Sequence, residues 1–83
     1  MEPMEETKIY STEELQEAYV LEVLLEVTAI LKERGYNPIY QLVGYLMSGD
    51  LGYITSYQNA RQKIMQLDRT KILEVLVKQS VHI

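Results

Sequence analysis

The chain has 83 residues, a formal net charge of −4 and no cysteine, which limits it to one domain and excludes disulfides and thiolate metal sites. A chain this short buries a modest fraction of its surface, so a partner is the readiest supplement to its stability. No apolar run approaches the roughly 18 residues that cross a bilayer, and the acidic start Met1-Glu2-Pro3-Met4-Glu5-Glu6 lacks the basic and apolar parts of a secretory signal; a cytoplasmic location without membrane insertion is expected.

Residues 1–10 show neither a helical nor a strand period and read as a flexible N-terminal tail. Residues 11–83 read as a single helical domain. Ser11 or Thr12 offers an N-cap, and Ser11 with Glu14 fits a capping box. A long helix is predicted from Glu13 to about Arg34, with acids at its start and Lys32 and Arg34 at its end, as the helix dipole favours. Gly35 is the expected residue just past its end. Val20, Leu24, Val27 and Leu31 form one apolar stripe, widened by Val23 and Ile30. Leu21, Leu25 and Ala29 fall outside it. So wide an apolar surface points either to burial between two copies of the chain or to cover by the later helices, and the dimer is the expected reading.

Asn37 and Pro38 start a second helix as N-cap and N1 residues. Ile39, Leu42, Val43 and Leu46 give it a 3.6-residue period, and Gly49 is the expected C′ residue. Gly44 lies inside this helix, where glycine costs roughly 0.5–1 kcal/mol relative to alanine. Close approach of another helix justifies it, with a kink as the alternative, and it joins Val20, Leu24, Val27 and Leu31 as a dimer-interface candidate. Residues 53–57 read as an extended connector, with Thr55 or Ser56 capping a third helix over Gln58–Leu67 whose inward residues are Ala60, Ile64 and Leu67. Asp68 caps a fourth helix, from about Arg69 to Gln79, with a core face of Ile72, Leu73 and Leu76 and flanks of Val75 and Val77. The expected fold is all-α: a compact bundle of about four helices, paired as a homodimer. The seven tyrosines, in a chain without Phe or Trp, belong at core margins or interfaces.

Catalytic chemistry finds little support in these residues. The single histidine, His82, is next to the end of the chain. Without cysteines or a histidine cluster no metal site is expected, and Gly49 and Gly52 do not follow a strand as a phosphate loop requires. No catalytic residue, cofactor or metal is therefore assigned. Charge is placed unevenly: residues 1–33 carry a net of −7 and residues 34–83 a net of +3. Arg61, Lys63, Arg69 and Lys71 are the candidate contacts for a partner or a phosphate. Read with the helix–turn–helix outline of residues 38–67, they also suggest a nucleic-acid module, but the break is long and the overall charge is negative, so no nucleic-acid partner is expected. A hydroxyl in the tail is open to a kinase, and Thr7 stands there with Tyr10, Ser11 and Thr12 as competitors.

The run Gly35-Tyr36-Asn37-Pro38-Ile39, continuing through Gln41-Leu42-Val43-Gly44-Tyr45-Leu46-Met47-Ser48-Gly49-Asp50, Tyr53-Ile54-Thr55-Ser56 and Asn59-Ala60-Arg61, resembles the IreB family of small regulatory phosphoproteins of Gram-positive bacteria. The resemblance covers roughly residues 28–78; Leu51-Gly52 departs from a Pro-Ala-like pair at that place. It implies a non-enzymatic helical homodimer, a substrate of a transmembrane Ser/Thr kinase with extracellular PASTA repeats and of its phosphatase. It further implies control of the cell-wall stress response and of cephalosporin resistance, through a downstream protein it does not identify. The family's acceptor is a tail threonine after acidic residues. Glu5-Glu6-Thr7 matches that pattern, so the resemblance assigns phosphorylation to Thr7. An unmodified dimeric adaptor is the alternative.

Overall fold

A computed structural model describes residues 12–82. Four α-helices follow in order: α1 (Thr12–Glu33), α2 (Pro38–Ser48), α3 (Ala60–Met65) and α4 (Arg69–Val81). Two 3₁₀ turns, Leu51–Tyr53 and Tyr57–Asn59, lie between α2 and α3. The described residues contain no strand. The expected Ser11 cap and the tail lie outside them.

The long first helix ends where its sequence stops it. Gly35 adopts φ +86°, a left-handed conformation that glycine reaches without penalty. Its N–H donates to the Lys32 carbonyl at 3.0 Å, and the Tyr36 N–H donates to that of Leu31 at 3.0 Å. These two bonds form a Schellman cap and satisfy carbonyls that the helix end leaves open. The chain turns back and α2 starts as expected: the Asn37 side chain accepts from the Tyr40 N–H at 3.1 Å and Pro38 occupies the first turn. Gly49, at φ +75°, ends α2, its N–H donating to the Tyr45 carbonyl at 2.7 Å.

The core is built around α1. Val20, Val23, Leu24, Val27, Ile30 and Leu31 are buried, against Tyr45 of α2, Ile54 of the connector, Ala60 and Ile64 of α3, Leu67, and Ile72 and Val75 of α4. Leu31, Ile54, Ile64, Ile72, Val27 and Val75 are wholly enclosed. Each such aliphatic side chain contributes about 1.5–3 kcal/mol on burial.

Three expectations need correction. The stripe Val20, Leu24, Val27, Leu31, read as a dimer seam, is covered by the chain's own later helices. Its residues are already removed from water before any second copy arrives. The inward face of α2 is also different. Ile39 and Val43 point out to solvent, Leu42 and Leu46 are half-buried, and Tyr45 enters the core. On α4 the face is rotated: Ile72 and Val75 are buried, Leu76 is half-buried, and Leu73 is exposed.

The third helix is shorter than its period suggested. Gln58 (φ +51°) and Asn59 (φ +63°) both take left-handed backbone, so the α-helix begins only at Ala60. For non-glycine residues this costs about 1–2 kcal/mol each. Neighbouring contacts hold the segment: Thr55 Oγ1 accepts from the Tyr57 N–H at 3.2 Å, the Arg34 guanidinium stacks 4.4 Å from the Tyr57 ring centre, and Arg61 Nε donates to the Ile54 carbonyl at 2.7 Å. Ala60, Ile64 and Leu67 are the buried residues here, as expected. Asp68 takes the N-cap position of α4 without a side-chain capping bond.

Candidate functional site: an open apolar groove

The fold leaves an apolar face uncovered. On α2, Ile39, Tyr40, Val43 and Met47 form an outward stripe at helical spacing, 74%, 67%, 52% and 80% exposed. Its outward phase is imposed from inside. Gln41 Nε2 donates to the Tyr53 carbonyl at 2.8 Å, and Tyr45 is buried beside it in the helix. On the same helix, the ring of Tyr53 packs so tightly on Gly44 that a Cβ there would overlap it. Once Gln41, Gly44 and Tyr45 face the chain, Ile39, Val43 and Met47 must face away.

Beside this stripe runs a groove of about 240 Å³. Leu21, Leu24, Leu25 and Thr28 of α1 form its floor, with Leu42 and Leu46 of α2 on one wall and Leu76 of α4 on the other. Leu25 is 71% exposed although it sits among apolar neighbours. A second, shallower depression of about 430 Å³ runs along α4, lined by Thr70, Leu73, Glu74, Val77 and Lys78. Apolar surface of this extent on a small domain usually marks a contact with another protein.

The other predicted site residues take different places. Gly44 is a point of close approach, but the group that approaches is Tyr53 of the same chain. Arg61 is tied to the Ile54 carbonyl, and Arg69 Nη1 donates to the Leu46 carbonyl at 3.0 Å with its guanidinium against Gly49. Both thus secure backbone that a turn leaves open. Lys63 faces Glu22 and Glu26 of α1 across a polar cleft. Lys71 stands 3.9 Å from Glu74. The four cations therefore do not form one cradle. Thr7, Tyr10 and Ser11 lie outside the described residues; Thr12 is the exposed first residue of α1.

One residue that the sequence reading did not single out ties the two ends of the fold together. Lys78 Nζ, late in α4, donates to Glu13 Oε2 at 3.0 Å and to Glu17 Oε2 at 2.5 Å. These acids stand one helical turn apart on α1, which places both on one face. Their hydrogen bonds, Glu17 first and then Glu13, raise the Lys78 pKa well above that of an ordinary lysine. Lys78 in turn holds the Glu13 carboxyl below its usual value, with help from the charge of Lys71. The signal was present in the sequence as an i, i+4 acid pair, but which lysine faces it depends on helix packing.

Among the described residues, no group of three or more His, Cys, Asp or Glu is placed to hold a metal ion, and no helix is long and apolar enough to cross a membrane. His82 is exposed at the end of α4.

The fold defines a small all-helical domain that leaves an apolar stripe of α2 and the adjoining groove open. The family model described as IreB regulatory phosphoprotein matches residues 5–82. The chain belongs to that family. It is 45% identical over 73 residues to a UPF0297 protein of Ruminiclostridium cellulolyticum, covering 88% of this chain and 83% of that one. A UPF0297 protein of Lachnoclostridium phytofermentans is 43% identical over 77 residues, covering 93% of this chain and 88% of its own length. The match therefore extends well beyond the central motif that first suggested the family.

Proposed function

We propose that this chain is a non-enzymatic regulatory phosphoprotein of the cytoplasm that acts as a homodimer. It is phosphorylated on Thr7 by a transmembrane Ser/Thr kinase with PASTA repeats and dephosphorylated by the cognate phosphatase. Its output is the response to cell-wall stress and resistance to cephalosporins. The observation that carries this reading is the family match, which begins at residue 5 and so takes in Thr7 with the acids before it. The dimer reading is supported by the outward stripe of α2 and the adjoining groove, where Ile39, Val43, Met47 and Leu25 remain in water. A second copy that covers this face removes from solvent the apolar surface that a single chain cannot cover.

Two measurements test it. Intact and tandem mass spectrometry on protein from its own cells under cell-wall stress is expected to find one phosphate on Thr7. An unmodified chain under every condition would eliminate the kinase role and leave an adaptor. Light scattering of the purified chain is expected to give twice the chain mass; a monomer at all accessible concentrations would refute the dimer.

A further inference from the structure

Resting on the reading of Thr7 as phosphoacceptor, we infer that Lys71 and Lys78 of α4 form the seat that receives the phosphate within the same chain, with Glu13 as the group it displaces.

The two lysines are seven residues apart on α4, which puts them on one face and roughly 10 Å apart along the axis. That face looks at the start of α1. Lys78 is bonded to Glu13 and Glu17 there, and Lys71 lines a cleft with Gln16 and Tyr19. Lys71 is also near enough to Glu13 to stabilise its charge. Its own ion pair, with Glu74, is long at 3.9 Å, so it has capacity for a closer anion. A doubly charged phosphate with three acceptor oxygens bridges two ammonium groups better than a single carboxylate does.

The two present occupants are unequal. The Glu17 side chain is 17% exposed, whereas that of Glu13 is 62% exposed. Glu13 is therefore the one that exchanges, while Glu17 keeps Lys78 aimed at α1. Reach is not limiting. Thr7 stands five positions before Thr12, the first residue of α1, and five residues span up to roughly 17 Å when extended. Lys78 also lines the shallow apolar depression of α4 with Leu73 and Val77. The state of Thr7 thereby changes the surface that α4 offers to a partner.

The test uses the full chain with phosphothreonine installed at position 7 during synthesis. Phosphorus NMR follows the second ionisation of the phosphate, near pH 6 in a free phosphopeptide. Seating between two lysines is expected to lower that midpoint by roughly half a pH unit or more, a solvent-screened part of the one to three units that an adjacent cation gives a carboxylate. The Glu13 carboxyl signal should move back toward that of an ordinary glutamate. Lys71→Gln, which leaves the Lys78 bonds intact, should return most of the phosphate shift. Lys78→Gln should abolish it, with circular dichroism verifying that the helices persist. If the phosphate titrates as in the phosphopeptide of residues 1–11 and the lysine ammonium signals do not move, the inference is wrong. Because the phosphate is installed chemically, failure to find it on Thr7 in cells would defeat the kinase reading without touching this result.

Discussion

Two apolar stripes of the same kind meet opposite fates in this molecule. On α1, Val20, Leu24, Val27 and Leu31 are buried by the chain itself. On α2, Ile39, Val43 and Met47 step by four residues as cleanly and stay in water. Helical periodicity states that a face requires cover; it does not state what provides it. The long helix is covered because three later helices and Ile54 fold onto it. The shorter helix is turned outward by the contacts on its other side, where Gln41 bonds the connector and Tyr53 fills the space over Gly44.

The contrast is broken most severely from the α1 side. Leu31→Ala opens a cavity in a site with no exposure and is expected to cost about 2–5 kcal/mol, measured by urea denaturation. A loss near zero would mean that the stripe is not packed as described. Gly44→Ala tests what holds α2 in phase. Forcing the Tyr53 ring aside is expected to cost about 1–3 kcal/mol, more than the helix propensity gained. With Tyr53→Ala in place, the same substitution should instead stabilise by about 0.5–1 kcal/mol. A cost that persists without the ring would show that the close contact is not its cause.

Val43→Glu sharpens the comparison from the other side. It places a charge on the outward stripe without touching the core. Helicity by circular dichroism should be kept, while self-association weakens about tenfold or more, equivalent to about 1.4 kcal/mol. Loss of helicity together with association would mean that the face supports the fold rather than a partner.

The smallest expected effect concerns the clamp at Lys78. The carboxyl of Glu13 is held below its usual value of 4.5 by the bond from Lys78. A lowered acid stabilises the fold above its unfolded value, and that contribution fades as pH falls through the folded one. Lys78, raised above the ordinary 10.5, contributes below its unfolded value and loses that contribution as pH rises through the folded one. Both groups are exposed, so the effect is small and screened by salt. Amide exchange in the first turns of α1 should quicken in Lys78→Gln relative to wild type at neutral pH, and the two proteins should converge in acid. Equal exchange at neutral pH would remove the clamp.

Much of this was legible from residue order alone. The all-helical class, the Gly35 and Gly49 stops, the Asn37-Pro38 start and the inward trio Ala60, Ile64 and Leu67 follow from local stereochemistry, which acts within a few residues and is therefore written in the chain. The family, too, was visible in the Gly35–Asp50 run. Partner choice was not. The cover over α1, the outward turn of Ile39 and Val43, the shortening of α3 by Gln58 and Asn59, and the pairing of Lys78 with Glu13 and Glu17 join residues far apart in sequence. Only tertiary packing decided them, because a face that requires burial or a charge that requires a partner is satisfied by whichever element the folded chain brings alongside.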